Sequence, residues 1–406
     1  MQIEGDTMDP IYLDYNATTP IDPLVVDEML PYLREGFGNP SSNHPYGQKA
    51  KQAVDLARAR VAALLACDPT EIVFTGGGTE ANNQALIGTA LANRDKGKHI
   101  ISTAIEHPAV LNPLRWLEGQ GFTVTLLPVD GTGRVDPEAV RRAITGDTIL
   151  ISVMHANNEV GTIQPLAEIG AIAREHGVLF HTDAAQSVGK IPTRVDELRV
   201  DLLTVAGHKF YALKGIGALY VRRGVKIAPY LHGAGHEGGR RAGTENVPSI
   251  VALGKAAELA AERLAGDGER VLALRERFHA RLRGLVDGVE LNGHPTDRLP
   301  NTLNVSFRGV VGADLLARTP EIAASTGSAC HDGSGELSGV LKAMGTPREQ
   351  GFGAVRFSLG RLTTAEEIER AAEVIAVQVK ELRAIRGGVS HNHVETGLSA
   401  LASCAG

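Results

Sequence analysis

Between Glu71 and Arg223 one pattern recurs: a short apolar run stops abruptly at glycine, a polar residue or a charge, and a longer segment with helical spacing usually follows. The runs are "EIVFTGGG", "HIISTAIEH", "FTVTLLPV", "TILISVMH", "VLFHTDAA", "DLLTVAGH" and "GALYVRR". Each is too short for a helix, and most are apolar at successive rather than alternate positions, as in strands buried on both faces. Strands joined through helical segments such as Pro137–Ile144 and Leu166–His176 pair in parallel, because a parallel neighbour is reached only by a crossover. The chain is therefore expected to be an α/β protein with a mostly parallel sheet, covered by helices on both sides.

The rest of the sequence surrounds this unit. Alanine-rich helical stretches fill Gln48–Ala66 and Val247–Leu285. After Asp287 the pattern changes to a few strands ("VELNG", "TLNVSF", "AVRFSLG") mixed with helices, the last over Ala365–Ile385. This reads as a large domain over 16–260 and a smaller α+β C-terminal domain over 261–390, which segment 1–15 joins, with a flexible tail at 391–406. With 43% hydrophobic but only 4% aromatic residues, the cores must be built from Ala, Val, Leu and Ile. A formal charge of −6, with Lys and Arg scattered rather than massed, does not describe a surface for nucleic acid, so direct nucleic-acid binding is not expected. The start "MQIEGDTMDP" lacks the basic and apolar segments of a signal peptide and no run is long enough to span a bilayer, so the expected location is the cytoplasm. Cys67, Cys330 and Cys404 cannot all pair, and their spacing suits neither a disulfide framework nor a zinc site; no metal is expected.

Ligands of open parallel sheets sit beyond the carboxyl ends of the strands. Three features fall there: Asp183, Lys209, and "TGGGTEANN" (Thr75–Asn83), where a strand ends in three glycines and a helix starts near Thr79. Backbone N–H groups at Gly78, the positive end of the helix and the Thr79 hydroxyl suit a phosphate dianion. The stretch is neither a P-loop nor a dinucleotide fingerprint. Taken singly, the three read equally well as a capping acid, a solvated lysine and a glycine-rich turn. Taken together, they are the parts that pyridoxal 5'-phosphate asks of a protein: a phosphate anchor, an acid that keeps the pyridine nitrogen protonated, and an amine for a Schiff base.

"YLDYNATTPIDP" (Tyr12–Pro23), "FGNPSS", "TGGGTEANN", "EHPAV", "HANNEVGTIQP", "HTDAAQSVGK", "AGHKFYALKGIGALYV", "RRAGTENV", "STGSAC" and "VRFSLGR" follow one another from Tyr12 to Arg361. In that order they resemble the cysteine desulfurases, a class-V aminotransferase-like branch of the fold-type-I pyridoxal-phosphate enzymes. The resemblance implies a large domain with a seven-stranded, mostly parallel sheet beside a smaller α+β domain. It implies that Lys209 forms the Schiff base, Asp183 meets the pyridine nitrogen, Gln186 hydrogen-bonds the ring hydroxyl, and His107 stacks on the ring and moves protons. Gly78, Thr79 and His208 would hold the phosphate, joined by Thr244 from the partner subunit of a homodimer with shared sites. Asn158 and Arg356, with Asn16 beside them, would hold the substrate carboxylate. Plain readings stand next to these: His107 precedes a proline and suits a helix start, Arg356 lies in a strand-like run where an outward arginine is the default, and Asn157 and Asn158 suit a turn. At Ala206, where many relatives carry a serine that bonds the phosphate, the anchor lacks a hydroxyl.

Cys330 separates a desulfurase from an aminotransferase. In the family a thiolate at this position attacks the sulfur of substrate L-cysteine, giving alanine and a persulfide. "STGSACHDGSG" is polar and glycine-rich, as a loop that delivers sulfur to an acceptor protein would be, with Ser328, His331 and His107 as candidate helpers. Cys67, on an apolar helical face, reads instead as a small buried hydrophobe. The alternatives are a selenocysteine lyase, since His331 directly follows Cys330 as in those enzymes, and another pyridoxal-phosphate lyase or aminotransferase. Iron–sulfur cluster scaffolds, thiolated tRNA and sulfur-modified DNA all draw on enzymes of this type, and the acceptor stays open.

Overall fold

The computed structural model of the chain describes residues 10–326 and 337–398, with side chains as far as 385. Its strands, in chain order, are β1 (Ile11–Tyr12), β2 (Ile72–Thr75), β3 (His99–Thr103), β4 (Thr123–Leu127), β5 (Thr148–Ser152), β6 (Leu179–Asp183), β7 (Leu202–Ala206), β8 (Gly217–Val221), β9 (Val289–Asn292), β10 (Thr302–Phe307), β11 (Ile322–Ala323) and β12 (Ala354–Ser358). β2 to β8 are the seven expected strands, and they form one sheet in the order β2-β8-β7-β6-β5-β3-β4. β8 runs against both its neighbours, β2 and β7. The other pairs are parallel. β8 follows β7 without a crossover helix, so it returns antiparallel. The carboxyl ends of the remaining six strands therefore open along the same edge.

Helices cover both faces, and β2, β3, β7 and β8 are buried at every position for that reason. On one face Phe74, Phe180 and Val205 pack with Val54 and Ala57 of the Pro45–Leu65 helix and with Leu253 of the Val247–Leu285 helix. On the other, Val73, Ile100 and Leu219 meet Ala81, Leu86 and, from the Pro108–Gly119 helix, Val110 and Leu114. Each fully buried Val, Leu or Phe contributes on the order of 1.5–3 kcal/mol relative to exposure. Small residues let the helices close up: a Cβ added at Gly254 would stand 2.5 Å from the Cα of Ala57.

A second cluster lies in the C-terminal part, where β12, β10 and β9 form an antiparallel sheet and β1 pairs in parallel with β11. Ile11 and Leu13 share this cluster with Phe278, Leu282, Val305, Phe357 and Ile375. The 39-residue Val247–Leu285 helix runs through both, contributing residues up to Ala260 to the first and from Val271 onward to the second.

Two elements differ from expectation. The Pro45–Leu65 helix ends at Ala66 in a left-handed turn, so Cys67 lies just past the helical face assigned to it. It still packs on the core, and burial pushes its thiol up to about 12. The last helix, Ala365–Leu398, continues beyond Ile385 into the segment read as a tail. No proline interrupts it, and its three glycines, Gly387, Gly388 and Gly397, cost only about 1 kcal/mol each in a helix. Among the described residues no helix is long and apolar enough to cross a membrane, and no cluster of His, Cys, Asp and Glu could hold a metal.

Candidate active site

The carboxyl ends of the parallel strands open onto a cavity of about 380 Å³. Gly78 and Thr79 enter it after β2, His107 after β3, Asn158 after β5, Asp183 and Gln186 from the end of β6, and His208 and Lys209 after β7. Asn16 reaches it from the N-terminal segment and Arg356 from β12. Thr244 stands instead in a separate cleft with Gly76 and Arg241, so within one chain it takes no part in this cavity. Cys330, Ser328, His331 and Cys404 lie outside the described residues.

Asp183 is 7% exposed and firmly held. One carboxylate oxygen accepts from Asn82 Nδ2 at 2.7 Å and the other from the Ala185 N–H at 2.9 Å. Each oxygen keeps acceptor capacity for a further donor, as a protonated pyridine nitrogen would be. Lys209 Nζ donates to the backbone oxygens of Asn16 at 2.6 Å and Ala17 at 2.9 Å. Desolvation, reinforced by the positive charge of Arg356, lowers its pKa to about 8 against the opposing pull of Asp183 and Asp14. A free lysine, at ~10.4, is almost wholly protonated at neutral pH; here a useful fraction of the amine is nucleophilic.

His107 starts a helix, as its place before a proline suggested, and also stands at the cavity. Its Nδ1 accepts from the Ala109 N–H at 3.1 Å and so caps the Pro108–Gly119 helix, while the ring also lines the cavity. With Nδ1 occupied as an acceptor, the neutral ring carries its proton on Nε2. Desolvation lowers its pKa, with Asp183 pulling the other way. At the phosphate end, Gly77 has φ 139°, in a region that favours glycine, and the Gly78–Asn83 helix follows it. A Cβ added at Gly78 would stand 3.0 Å from Ala206 Cβ, so Ala206 lies directly beneath this turn. His208, desolvated and beside Lys209, has its pKa lowered to about 4 and is neutral; its Nδ1 lies 3.2 Å from Thr18 Oγ1. This anchor, acid and amine fit pyridoxal phosphate.

Arg356 faces inward, at 6% exposure, rather than outward. Its Nη2 pairs with Asp14 at 2.7 Å and its Nη1 donates to the Asn158 carbonyl at 3.0 Å. Its Nε is buried without a partner among the described residues. Asn157 makes the turn, its Oδ1 accepting from the N–H groups of Glu159 and Val160. Asn16 differs from expectation. Its Oδ1 accepts from Lys190 and Asn301, and its Nδ2 donates to the Asn158 carbonyl and Thr302, so the amide is fully engaged and only its backbone oxygen faces Lys209.

Sequence reading missed Asn82, Asp14, Lys190 and Glu106. Glu106 ties the ends of two strands together, its Oε1 accepting from Thr103 Oγ1 at 2.7 Å and the Met154 N–H at 2.9 Å. Burial pushes its pKa up to about 8, which makes it a neutral acid at pH 7. Its position between an apolar run and His107 was the available signal. Asn82 offered none, because an asparagine one turn into a helix has no pattern of its own.

Residues 11–371 match the family described as aminotransferase class-V. Over 377 residues the chain is 52% identical to the cysteine desulfurase IscS of Methanosarcina thermophila, covering 92% of this chain and 93% of that one. It is 48% identical to the cysteine desulfurase IscS of Dictyoglomus turgidum, with 92% and 96% covered. Among solved structures, a NifS-like protein superposes with a TM-score of 0.85 at 38% identity, covering 93% of this chain and 99% of that one. SspA in complex with cysteine superposes with a TM-score of 0.77 at 37% identity, covering 87% and 100%. The extent of these matches, over a cavity with the parts described, shows that the chain belongs to the class-V aminotransferase family and, within it, to the pyridoxal-phosphate-dependent cysteine desulfurases.

Proposed function

We propose that the protein acts in the cytoplasm on L-cysteine, releases L-alanine, and leaves the sulfur as a persulfide on Cys330 for a sulfur-acceptor protein. The observation that carries this reading is the convergence, in one cavity, of the Lys209 amine, the Asp183 carboxylate and the inward-facing guanidinium of Arg356. A structural relative that holds cysteine supports the choice of substrate. When bound, pyridoxal phosphate supplies an electron sink for negative charge at the substrate α-carbon.

The chain's own residues do the rest. Gly78, Thr79 and His208 would hold the phosphate, Asp183 would keep the pyridine nitrogen protonated, and Gln186 would donate to the ring hydroxyl. Arg356 and Asn158 hold the substrate carboxylate, and Asn16 supports them through the Asn158 carbonyl. His107 Nε2 would carry a proton between substrate atoms, and Lys209 would serve as the second base at the α-carbon. The Cys330 thiolate attacks the substrate sulfur; a sulfur–sulfur bond forms, the Cβ–sulfur bond breaks, and the carbon takes up a proton. One cysteine and one thiol thus give one alanine and one persulfide. Thr244 completes the phosphate site of the partner subunit in a homodimer.

Alanine production from L-cysteine by the wild type and by Cys330→Ala tests the reading. Turnover of L-cysteine should fall at least a hundredfold in the variant, while selenocysteine, whose selenol is the better leaving group, is still cleaved. A wild type inert to cysteine but active on selenocysteine would instead identify a selenocysteine lyase.

A further inference from the structure

We propose that Lys190 is a positioning residue of the cofactor site: it fixes the Gln186 amide with its nitrogen toward Lys209 and the cavity. The inference rests on the pyridoxal-phosphate reading above and concerns a lysine that has no part in it so far. Lys190 lies one helical turn of sequence after Gln186, and its plain reading is a solvated surface lysine behind Gly189. The structure shows something else. Its Nζ donates to Gln186 Oε1 at 2.9 Å and to Asn16 Oδ1 at 3.2 Å. Burial, reinforced by the positive charges of Lys209 and Arg356, disfavours a cation here, and two neutral amide oxygens answer the amine.

That arrangement carries orientation. Both contacts made by Lys190 are donations, and each of the two amides beside it turns its oxygen toward the amine and its nitrogen away. Gln186 Nε2 accordingly donates to the Asn16 carbonyl at 3.0 Å, the same oxygen that accepts from Lys209 Nζ at 2.6 Å. The Gln186 N–H group therefore stands one acceptor away from the reactive amine, with a second hydrogen available to an oxygen on the cofactor ring. A flipped amide would present an acceptor there and repel that oxygen. Asn16 is held in the same sense by Lys190, but Asn301 and Thr302 hold it too. For the oxygen of Gln186, Lys190 is the donor the structure provides.

The test uses purified full-length protein with two readouts: the visible absorption maximum of the bound cofactor, and the dissociation constant of pyridoxal phosphate titrated into cofactor-free protein. Lys190→Met should weaken cofactor binding roughly tenfold, the usual cost of one lost buried hydrogen bond, and shift the band. Lys190→Arg, which can still donate to the glutamine oxygen, should keep the band in place. Gln186→Leu should resemble Lys190→Met, and combining the two should add little, because the lysine acts through the glutamine. If Lys190→Met does not fold, Gln186→Glu with Lys190 intact tests the same point, since a carboxylate paired with Lys190 offers the cavity only acceptors and should shift the band alike. A Lys190→Met protein with the wild-type band and affinity overturns the proposal, as does an effect undiminished in the Gln186→Leu background. Wild-type protein that takes up no cofactor would defeat the underlying reading rather than this one.

Discussion

A lysine amine whose pKa is lowered to about 8 has a measurable consequence. The neutral amine is the form that attacks an aldehyde, and it accumulates as pH rises through the pKa. Covalent uptake of pyridoxal phosphate by cofactor-free protein should therefore accelerate between pH 7 and 9 and level off above, half-maximal near 8 rather than at the ~10.4 of free lysine. Stopped-flow absorbance checks this, and Lys209→Ala should show no covalent band at any pH. A second residue-scale prediction concerns Ala206, which lies beneath the Gly78 turn. Ala206→Ser adds a hydroxyl at the phosphate end, and one further hydrogen bond to a charged group should tighten cofactor binding about tenfold, measured by equilibrium titration. The places of Asp183, Lys209 and His107 at the cavity were legible because each stands at or shortly after the end of a strand-like run. Arg356 was legible only through the family resemblance: the alternation of β12 suggests an outward side chain, and Asp14, 342 positions away in sequence, together with the Asn158 carbonyl shows why it turns in.

At the scale of elements, strands were legible because burial on both faces makes them continuous apolar runs, and the long Val247–Leu285 helix because its small residues recur at helical spacing. Its packing was not. Gly254 lies against Ala57, and an added methyl would stand 2.5 Å from the Ala57 Cα and 2.6 Å from its Cβ. Helix propensity alone favours Gly254→Ala by about 1 kcal/mol. Overpacking of a buried contact costs about 1–3 kcal/mol, and the neighbour here is backbone, which yields less than a side chain. The substitution is therefore expected to destabilise by about 1 kcal/mol net or more, read as a lower urea midpoint at unchanged slope. A midpoint raised by the alanine would show that the two helices can separate without loss. The same distinction explains Cys67: periodicity continued the helix past Leu65, but the left-handed turn at Ala66 ended it.

For the whole molecule, the position of Thr244 outside its own chain's cavity gives the assembly prediction. If it completes the phosphate site of a second copy, the protein should scatter light as a dimer, and Thr244→Ala should bind cofactor several-fold more weakly while remaining dimeric. A fully active monomer, or a Thr244→Ala protein with unchanged cofactor affinity, would refute the shared site.

The sequence alone determined the sheet and which charges stand at its open edge, because a doubly covered parallel strand and its crossover are written in contiguous residues. It did not determine how those charges are held. Asn82 on Asp183, Asp14 on Arg356, Lys190 on Gln186 and the saturation of Asn16 by Asn158, Asn301 and Thr302 all followed from tertiary structure. Most of these contacts join segments a hundred or more positions apart, and hydrogen-bond direction and desolvation depend on where the folded chain brings each polar atom, which no local pattern encodes.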